Sequence, residues 1–359
     1  MRRIFWLALL FIIPCVAAAP GEPAATSENW NLFKDVYSLI LDTYVEPKTP
    51  EQLLAGALQG LAGATGPECG YIPGSKLEEA EAAEKNRCYL PLYITKDGGF
   101  ASVIAPFLGE DGEIEQGDLL RFINGKSVFD MNFPQLISAM KGKEGEQVSC
   151  GFIKKDTFKP YEKKLAIRKP VPPVFHELKE KGAAVEIPCL EAEIEKTLLD
   201  KISGTRGRLV IDLRGCASAD EERAVAVAGM LFGKGTLKLS TKNGMRDISY
   251  SGEGAASGKK VTVVIDNTTA RGGELLALAA KSSGGYLIGG ETYGFCAMHE
   301  KVTLKNGDAL VILTGYFLDG EGKEIKDNPL KPDKTFDISD NSRKDDYYMK
   351  ALTKDPAKE

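Results

Sequence analysis

One turn of the sequence places a charged side chain where α/β proteins often carry chemistry. The segment VVIDNTTARGGELLALAA, residues 263–280, begins as an apolar strand and ends as a helix. The most prominent side chain of the turn between them is Arg271. A turn at the carboxyl end of a strand that leads into a helix commonly holds a nucleophile or an anion site. Arg271 is therefore either a binding residue or a replacement for a reactive one.

A second set of reactive side chains follows this helix. Cys296 could act as a nucleophile with His299 as its base, because a thiolate needs only a modest partner. If residues 294–300 are extended, side chains three positions apart point to opposite faces, which argues against a direct pair. The competing interpretation is a half-buried histidine and a disulfide cysteine. Thr268 and Thr269 could also attack, but no general base is visible for them.

The cysteine and histidine content bears on metal binding. The chain has seven cysteines and only two histidines, and no cysteines have Cys-x-x-Cys spacing. We therefore expect no metal site, and nothing in the sequence calls for a cofactor. His176 is most simply a surface residue. The cysteines beyond Cys15 are Cys69, Cys88, Cys150, Cys189, Cys216 and Cys296.

The N-terminus has the pattern of a secretory signal peptide. Two arginines precede an apolar run, residues 4–13, and a small-residue cleavage site, residues 16–19. The run is too short to serve as a permanent membrane anchor. Attachment of a lipid through Cys15 is the less favoured alternative, because Ile13-Pro14 is a poor lead-in to a lipidated cysteine. The sequence thus predicts a secreted or periplasmic protein, in which disulfides are the default state of cysteines.

Composition and periodicity predict the architecture. The chain of 359 residues is 43% hydrophobic, and its formal net charge of -5 without a basic cluster argues against a nucleic-acid partner. Along the chain, apolar residues first recur at helical spacing and then form short strand-like runs between glycine-rich turns. The last part of the chain has strands that alternate with helices. The last pattern favours a largely parallel sheet with crossover helices. We therefore predict a mixed α/β fold in four segments: a signal peptide (1–18), a helical segment (19–86), a β-domain (87–169) and an α/β core (170–359).

Ordered motifs resemble those of a peptidase family. The stretch IEQGDLLRFINGKSV is similar to part of a PDZ domain, with Gly117-Asp118 before a strand and Asn124-Gly125 after it. The stretches LDTYVEPKTPEQLLAGALQGL, VIDLRG, GGETYG and PLKPD resemble, in this order, the C-terminal processing (tail-specific) proteases. Those are periplasmic or lumenal serine peptidases with a helical N-terminal part, an inserted PDZ domain and an α/β core. The resemblance implies that fold for nearly the whole chain after the signal peptide.

The same resemblance implies that the catalytic residues are replaced. The family uses a serine three residues before a glutamate, a neutral lysine as the base, and a glutamine that positions the lysine. With Glu274 as the glutamate, Arg271 takes the position of the serine. Phe295 takes that of the lysine, and His299 that of the glutamine. The loop that helps to supply oxyanion donors becomes Cys216-Ala217-Ser218-Ala219. Arginine stays protonated and phenylalanine accepts no proton, so the dyad chemistry is excluded at these positions.

The resemblance also implies a peptide-binding edge in the PDZ-like region. A PDZ domain binds a peptide C-terminus as an added strand and holds its carboxylate with backbone N–H groups. The corresponding residues here are Leu90, Pro91, Leu92 and Tyr93. Because Pro91 has no N–H, the capture of a carboxylate by this loop is in doubt, and internal hydrophobic sequence is an alternative ligand.

Two disulfides are implied in the same way. In the family fold, the segments of Cys216 and Cys296 line the catalytic cleft from neighbouring strand ends, so a bond between them would close it. A bond between Cys69 and Cys88 would close the segment that leads into the PDZ-like domain. Sequence alone leaves other pairings open.

The function predicted from these features is that of a pseudoprotease. It would bind unfolded or C-terminal peptide segments of envelope proteins, or regulate an active paralogous protease, and would have no membrane span after removal of the signal. The first alternative is an active serine-type or cysteine-type endopeptidase that cleaves near the C-termini of envelope proteins. The second alternative is a structural envelope protein. Since Arg271 begins a helix, where the dipole disfavours a cation, we also expect it to have a carboxylate or anion partner.

Overall fold

The structure is a computed structural model that describes residues 25–85, 88–97, 99–106, 112–178, 182–336, 348, 350 and 351. The predicted signal peptide and Cys15 lie outside these residues. The chain divides into two compact units, Met1–Ala57 and Leu58–Glu359. Within the described residues, no helix is both long enough and apolar enough to cross a membrane.

The first unit contains helix α1 (Ala25–Thr43), and its boundary falls within helix α2 (Pro50–Gly63). Both helices were predicted from apolar spacing. Thr49 and Gln52 begin α2 with reciprocal bonds: the Thr49 N–H donates to Gln52 Oε1 at 3.0 Å, and the Gln52 N–H donates to Thr49 Oγ1 at 3.3 Å. This capping box satisfies two backbone donors that the first turn leaves free.

Residues 88–168 form the β-domain, an antiparallel sheet in the order β2-β3-β4-β6-β7, with β5 paired to β4. Its apolar face packs under helix α4, whose cap is the reciprocal pair Asn132 and Gln135. The segment before it contains β1 and α3. The bounds are β1 (Gly70–Ile72), α3 (Gly74–Lys85), β2 (Leu92–Asp97), β3 (Phe100–Pro106), β4 (Leu119–Ile123), β5 (Lys126–Ser127), α4 (Phe133–Ala139), β6 (Gln147–Ile153) and β7 (Pro160–Ala166).

The α/β core begins with a six-stranded sheet in the order β17-β14-β13-β10-β9-β8. All its neighbouring strands are parallel except β8, which pairs antiparallel with β9 at one edge. The apolar runs that predicted buried parallel strands form its centre. The bounds are β8 (Val174–Glu177), β9 (Gly182–Glu186), α5 (Lys196–Gly204), β10 (Arg208–Asp212), α6 (Glu221–Phe232), β13 (Lys260–Ile265), α7 (Gly272–Ser282), β14 (Tyr286–Gly289) and β17 (Lys334–Thr335).

A second, antiparallel sheet completes the core in the order β1-β16-β11-β12, with β15 also paired to β16. Its strands are β11 (Gly235–Thr241), β12 (Gly244–Tyr250), β15 (Ala297–Thr303) and β16 (Ala309–Phe317). The β15–β16 hairpin turns at Asn306-Gly307. Residues of both sheets and of α5, α6 and α7 share one buried apolar cluster. The two sheets and these helices therefore share this cluster, and the other face of the parallel sheet packs in a second cluster that includes Tyr348.

His176 corrects one expectation from the sequence. It lies in β8, its side chain is only 18% exposed, and its Nε2 is 3.6 Å from Glu186 Oε2. Its ring also lies 5.3 Å from that of Tyr348. His176 is therefore half-buried rather than a surface residue, because the chain forms an edge strand directly after the proline-rich linker.

Candidate functional site at the turn before helix α7

The turn between β13 and α7 is held to the loop after β10 by two threonine hydroxyls. Thr268 Oγ1 donates to Asp266 Oδ1 at 2.5 Å and accepts from the Gly215 N–H at 2.7 Å. Thr269 Oγ1 donates to the Leu213 carbonyl at 3.0 Å. Both hydroxyls, which were weak candidates for a nucleophile, are thus engaged in fixing the turn.

Close backbone approach fixes the turn further. The Ala270 N–H donates to Cys216 O, and the Gly272 N–H to Ser218 O, each at 3.0 Å. A Cβ added at Gly273 would lie 2.2 Å from Cys216 O, so this position requires glycine. The loop after β10 therefore presents two carbonyl oxygens to the start of α7.

Arg271 occupies the N-cap of α7 and is buried, with 3% of its surface exposed. Its φ of 50° is uncommon for a residue other than glycine. Its N–H donates to Glu274 Oε2 at 3.0 Å and to Phe295 O at 3.1 Å. The strained backbone is thus held from two directions, which is what such a conformation needs in order to persist.

The guanidinium of Arg271 joins the core to the β-domain. Its Nη2 donates to Glu68 Oε1 in a buried ion pair and to the Ile94 carbonyl in β2 at 2.7 Å. Its Nη1 lies 3.5 Å from Ala217 O, and its Cζ lies 5.6 Å from the centre of the Phe133 ring. Glu68 is the carboxylate partner expected for a cation at a helix N-terminus, so this expectation is confirmed.

The ionisation of Arg271 follows from its burial. Loss of hydration lowers its pKa to about 10, while the negative groups near it act in the opposite direction. The side chain therefore stays charged at neutral pH. A buried cation paired with a buried carboxylate is strongly destabilised when either partner is removed, so each of the two side chains depends on the other.

Glu274 connects the turn to the segment before β15. Its Oε1 accepts from Thr292 Oγ1 at 2.5 Å and from the Gly294 N–H at 2.8 Å. Its Oε2 accepts from the N–H groups of Arg271 and Phe295, both at 3.0 Å. Burial raises the pKa of this carboxyl to about 7, against the four hydrogen bonds that favour the ionised form.

The segment opposite Arg271 is largely apolar. The half-buried ring of Phe295 lies 6.4 Å from the rings of both His299 and Tyr316. His299 Nδ1 is 2.9 Å from Glu221 Oε1, and burial raises the pKa of that carboxyl. His299 Nε2 is buried and has no hydrogen-bond partner within the described residues.

Cys296 is placed as a structural thiol. Its Sγ donates to Arg271 O at 3.4 Å, and its residue is 1% exposed. Burial raises the pKa of the thiol well above its usual value, which makes it a poor nucleophile. A register shift in the β15–β16 pair between Met298 and His299 interrupts the strict alternation on which the sequence argument about Cys296 and His299 relied.

Comparison with known proteins identifies the core. Residues 183–336 match the sequence model of Peptidase family S41. These residues, which make up most of the α/β core, are therefore similar to that family. The carboxy-terminal processing proteases CtpA and CtpB of Bacillus subtilis are 22% and 24% identical to this chain. The CtpA alignment covers 92% of this chain and 74% of CtpA, and the CtpB alignment covers 89% and 71%.

A solved structure confirms the fold. The photosystem II D1 C-terminal processing protease matches with a TM-score of 0.66 at 19% identity, over 87% of this chain and 88% of that one. The predicted mixed α/β fold of the processing-protease type is therefore correct. At this identity the match concerns the fold alone.

In the structure, the four residues predicted to bind peptide are buried. The Leu90 N–H donates to the Met140 carbonyl at 2.8 Å, and the Leu92 N–H to Leu90 O at 2.7 Å. Tyr93 packs in the cluster between the β-domain and the core, and its hydroxyl donates to Glu191 Oε2 at 3.1 Å. Pro91 is buried with them. These residues do not form an open surface here, because their side chains and two of their N–H groups already have partners.

Neither predicted disulfide is formed in the structure. None of the six cysteines of the described residues forms a disulfide. Cys69 Sγ accepts from the Leu313 N–H at 3.3 Å, and Cys88 packs against the core of the β-domain. Cys216 and Cys296 are both fully buried in the apolar cluster of the core. Instead of forming the predicted disulfides, these cysteines pack in apolar clusters or accept a hydrogen bond from the backbone.

Sequence reasoning missed the residues that meet the guanidinium. Glu68, Ile94 and Phe133 come from the segment before β1, from β2 and from the start of α4. No local pattern marks any of them, and only the general expectation of a carboxylate pointed to Glu68. The Glu221 partner of His299 was missed as well, although its position as an acidic residue in the first turn of α6 is a usual one.

Proposed function

We propose that this chain is a non-catalytic member of the C-terminal processing protease family that binds polypeptide without cleaving it. The observation that carries the proposal is the buried ion pair of Arg271 with Glu68 at the position that the family's motif gives to the serine nucleophile. A guanidinium stays protonated and cannot attack a carbonyl group. Phe295, at the lysine position, cannot accept a proton.

The alternative of an active endopeptidase has less support from the geometry. Cys296 is buried and its thiol donates to a backbone carbonyl, so a scissile bond has no access to it in this conformation. His299 has a carboxylate neighbour in Glu221, as a general base would, but no serine or cysteine side chain is within hydrogen-bond distance of it among the described contacts.

We further propose that the β-domain is PDZ-like and supplies the binding surface. Its antiparallel sheet ends at strand β2, and one helix, α4, packs on the same apolar cluster as that strand. An edge strand beside a helix is the arrangement to which a peptide adds as a further strand. The ligands would be unfolded or C-terminal segments of envelope proteins, encountered after secretion directed by the N-terminal signal. An active paralogous protease is the second candidate partner.

One experiment separates binding from cleavage. The purified protein and an Arg271→Ser/Phe295→Lys variant are incubated with unfolded polypeptides that end in apolar residues, and mass spectrometry and anisotropy follow cleavage and binding. We expect the unmodified protein to bind the polypeptides and to release no fragments. Cleavage by the unmodified protein that disappears in Cys296→Ala or His299→Ala would contradict the proposal. Neither binding nor cleavage would favour a structural protein.

A further inference from the structure

Only some of the hydrogen-bond donors of the Arg271 guanidinium have close partners in this structure. In the ion pair with Glu68, only Nη2 donates to the carboxylate, and Nη1 has a single contact, with the Ala217 carbonyl at 3.5 Å. Nε is buried and has no hydrogen-bond partner within the described residues. Arginine binds a carboxylate best through two parallel N–H donors, so Glu68 is an incomplete ligand for this side chain.

The same guanidinium lies at the edge strand of the β-domain, where both Arg271 and Ile94 are buried. It donates to the Ile94 carbonyl of β2, and no strand of the described residues pairs with the outer edge of β2. Its other neighbour in the β-domain is Phe133, the first residue of α4. Thr95 Oγ1 donates to Glu68 Oε1 at 2.9 Å, which places the Glu68 carboxylate at this edge too. A polypeptide that added to β2 would therefore meet Arg271 and would have to displace Glu68.

Tyr293, a neighbour of Arg271, lines a cavity. This cavity of about 320 Å³ lies between the β-domain and the core, lined by Ser102, Gln116, Lys155, Asn267, Thr292 and Tyr293 among others. Burial raises the pKa of Tyr293, and the positive charge of Arg271 opposes this change, so the two side chains are close neighbours. The lining is polar and carries the positive charge of Lys155. It therefore suits a polypeptide end better than a purely apolar segment.

Glu68 has a strained backbone conformation. Its φ of 65° lies in the left-handed region, which costs free energy for any residue other than glycine. Release would let this segment relax and would return the carboxylate to water. The positively charged pocket would then accept another carboxylate through both Nε and Nη2.

We propose that Arg271 is the receptor for a carboxylate of a bound polypeptide, and that Glu68 occupies this receptor when no ligand is present. This inference rests on the proposed function, since it names the group by which the bound polypeptide is recognised. The carboxylate can come from a free C-terminus or from an acidic side chain, and the chemistry at Arg271 is the same in both cases.

The test compares three fluorescent peptides of about ten apolar residues by anisotropy. One has a free C-terminus and no acidic residue, one is its C-terminal amide, and one is the amide with a single internal glutamate. We expect Glu68→Gln to bind the free-acid peptide roughly tenfold more tightly than the unmodified protein, because the competing carboxylate is gone. The amide without an acidic residue should bind both proteins equally. If Glu68→Gln binds only the glutamate peptide more tightly than the unmodified protein does, the carboxylate that Arg271 recognises is that of an acidic side chain.

The matched control is Arg271→Gln/Glu68→Gln, in which a neutral pair replaces the ion pair. It should bind the free acid and the amide with equal affinity. If Glu68→Gln does not fold, the unmodified protein provides the test, because it must prefer the free acid over the amide. Equal binding of all three peptides to every folded variant would overturn the carboxylate receptor and leave peptide binding intact. Absence of binding throughout would overturn both proposals.

Discussion

The two sides of the candidate site differ in how their side chains are held. On one side, Arg271 is charged and buried, and it contacts both the core and the β-domain. On the other side, Phe295 is apolar and half-buried, and its ring contacts are to His299 and Tyr316 within the core. Both sides are tied to the carboxylate of Glu274 through their N–H groups. The difference indicates that Arg271 has a structural role across two domains, whereas Phe295 fills space within one.

The largest effect should come from removal of the arginine. Arg271→Ala would leave the Glu68 carboxylate buried without its cation, so we expect the free energy of unfolding to fall by about 3–5 kcal/mol. Urea denaturation measures this change. Lys281→Ala is the matched control on the same helix, because its ion pair with Asp333 is partly exposed and should contribute less than about 1 kcal/mol.

A double variant isolates the origin of that loss. Arg271→Met/Glu68→Leu removes both charges and keeps apolar volume, so it should lose less stability than Arg271→Ala. A double variant that is as unstable as the single one would show that the contacts to Ile94 and Phe133 dominate. In that case the contrast between the two sides would not depend on charge.

Local pattern was sufficient to predict the elements that carry the site. The strand before Arg271 is a continuous apolar run and the helix after it has apolar spacing, so the strand, turn and helix follow from nearby residues alone. The class of partner also followed, because a cation at a helix N-terminus needs a negative group. By contrast, Glu68 lies 203 residues away along the chain and meets Arg271 only through tertiary packing.

Elsewhere the sequence was less informative, either because a strand is mostly exposed or because the residues are buried by distant parts of the chain. The β11–β12 hairpin was not predicted, because β12 is exposed over most of its length and lacks a clean apolar alternation. The buried state of Leu90, Leu92 and Tyr93 was also missed. Leu90 and Leu92 pack inside the β-domain, whereas Tyr93 packs on the α/β core across a domain contact that no periodicity within the β-domain can indicate.

The carboxylate shared by the two sides predicts an unusual pH dependence. Because burial raises the pKa of Glu274 from 4.5 to about 7, the folded state holds a proton that the unfolded state releases between these values. The stability of the unmodified protein relative to Glu274→Gln should therefore fall as the pH rises from 4.5 to about 7, by up to about 3 kcal/mol. Thermal denaturation of both proteins across this range measures the difference. A difference that grows with pH would show that the four hydrogen bonds outweigh burial.

The smallest effect should come from the apolar side. Phe295→Lys loses the ring contacts, but the half-exposed position lets the alkyl stem pack while the ammonium group reaches water. We expect a loss of about 1 kcal/mol in the free energy of unfolding, well below that of Arg271→Ala. Phe295→Leu is the control for the loss of the ring without a new charge. A loss in Phe295→Lys equal to that in Arg271→Ala would mean that both sides contribute equally to the stability of the fold.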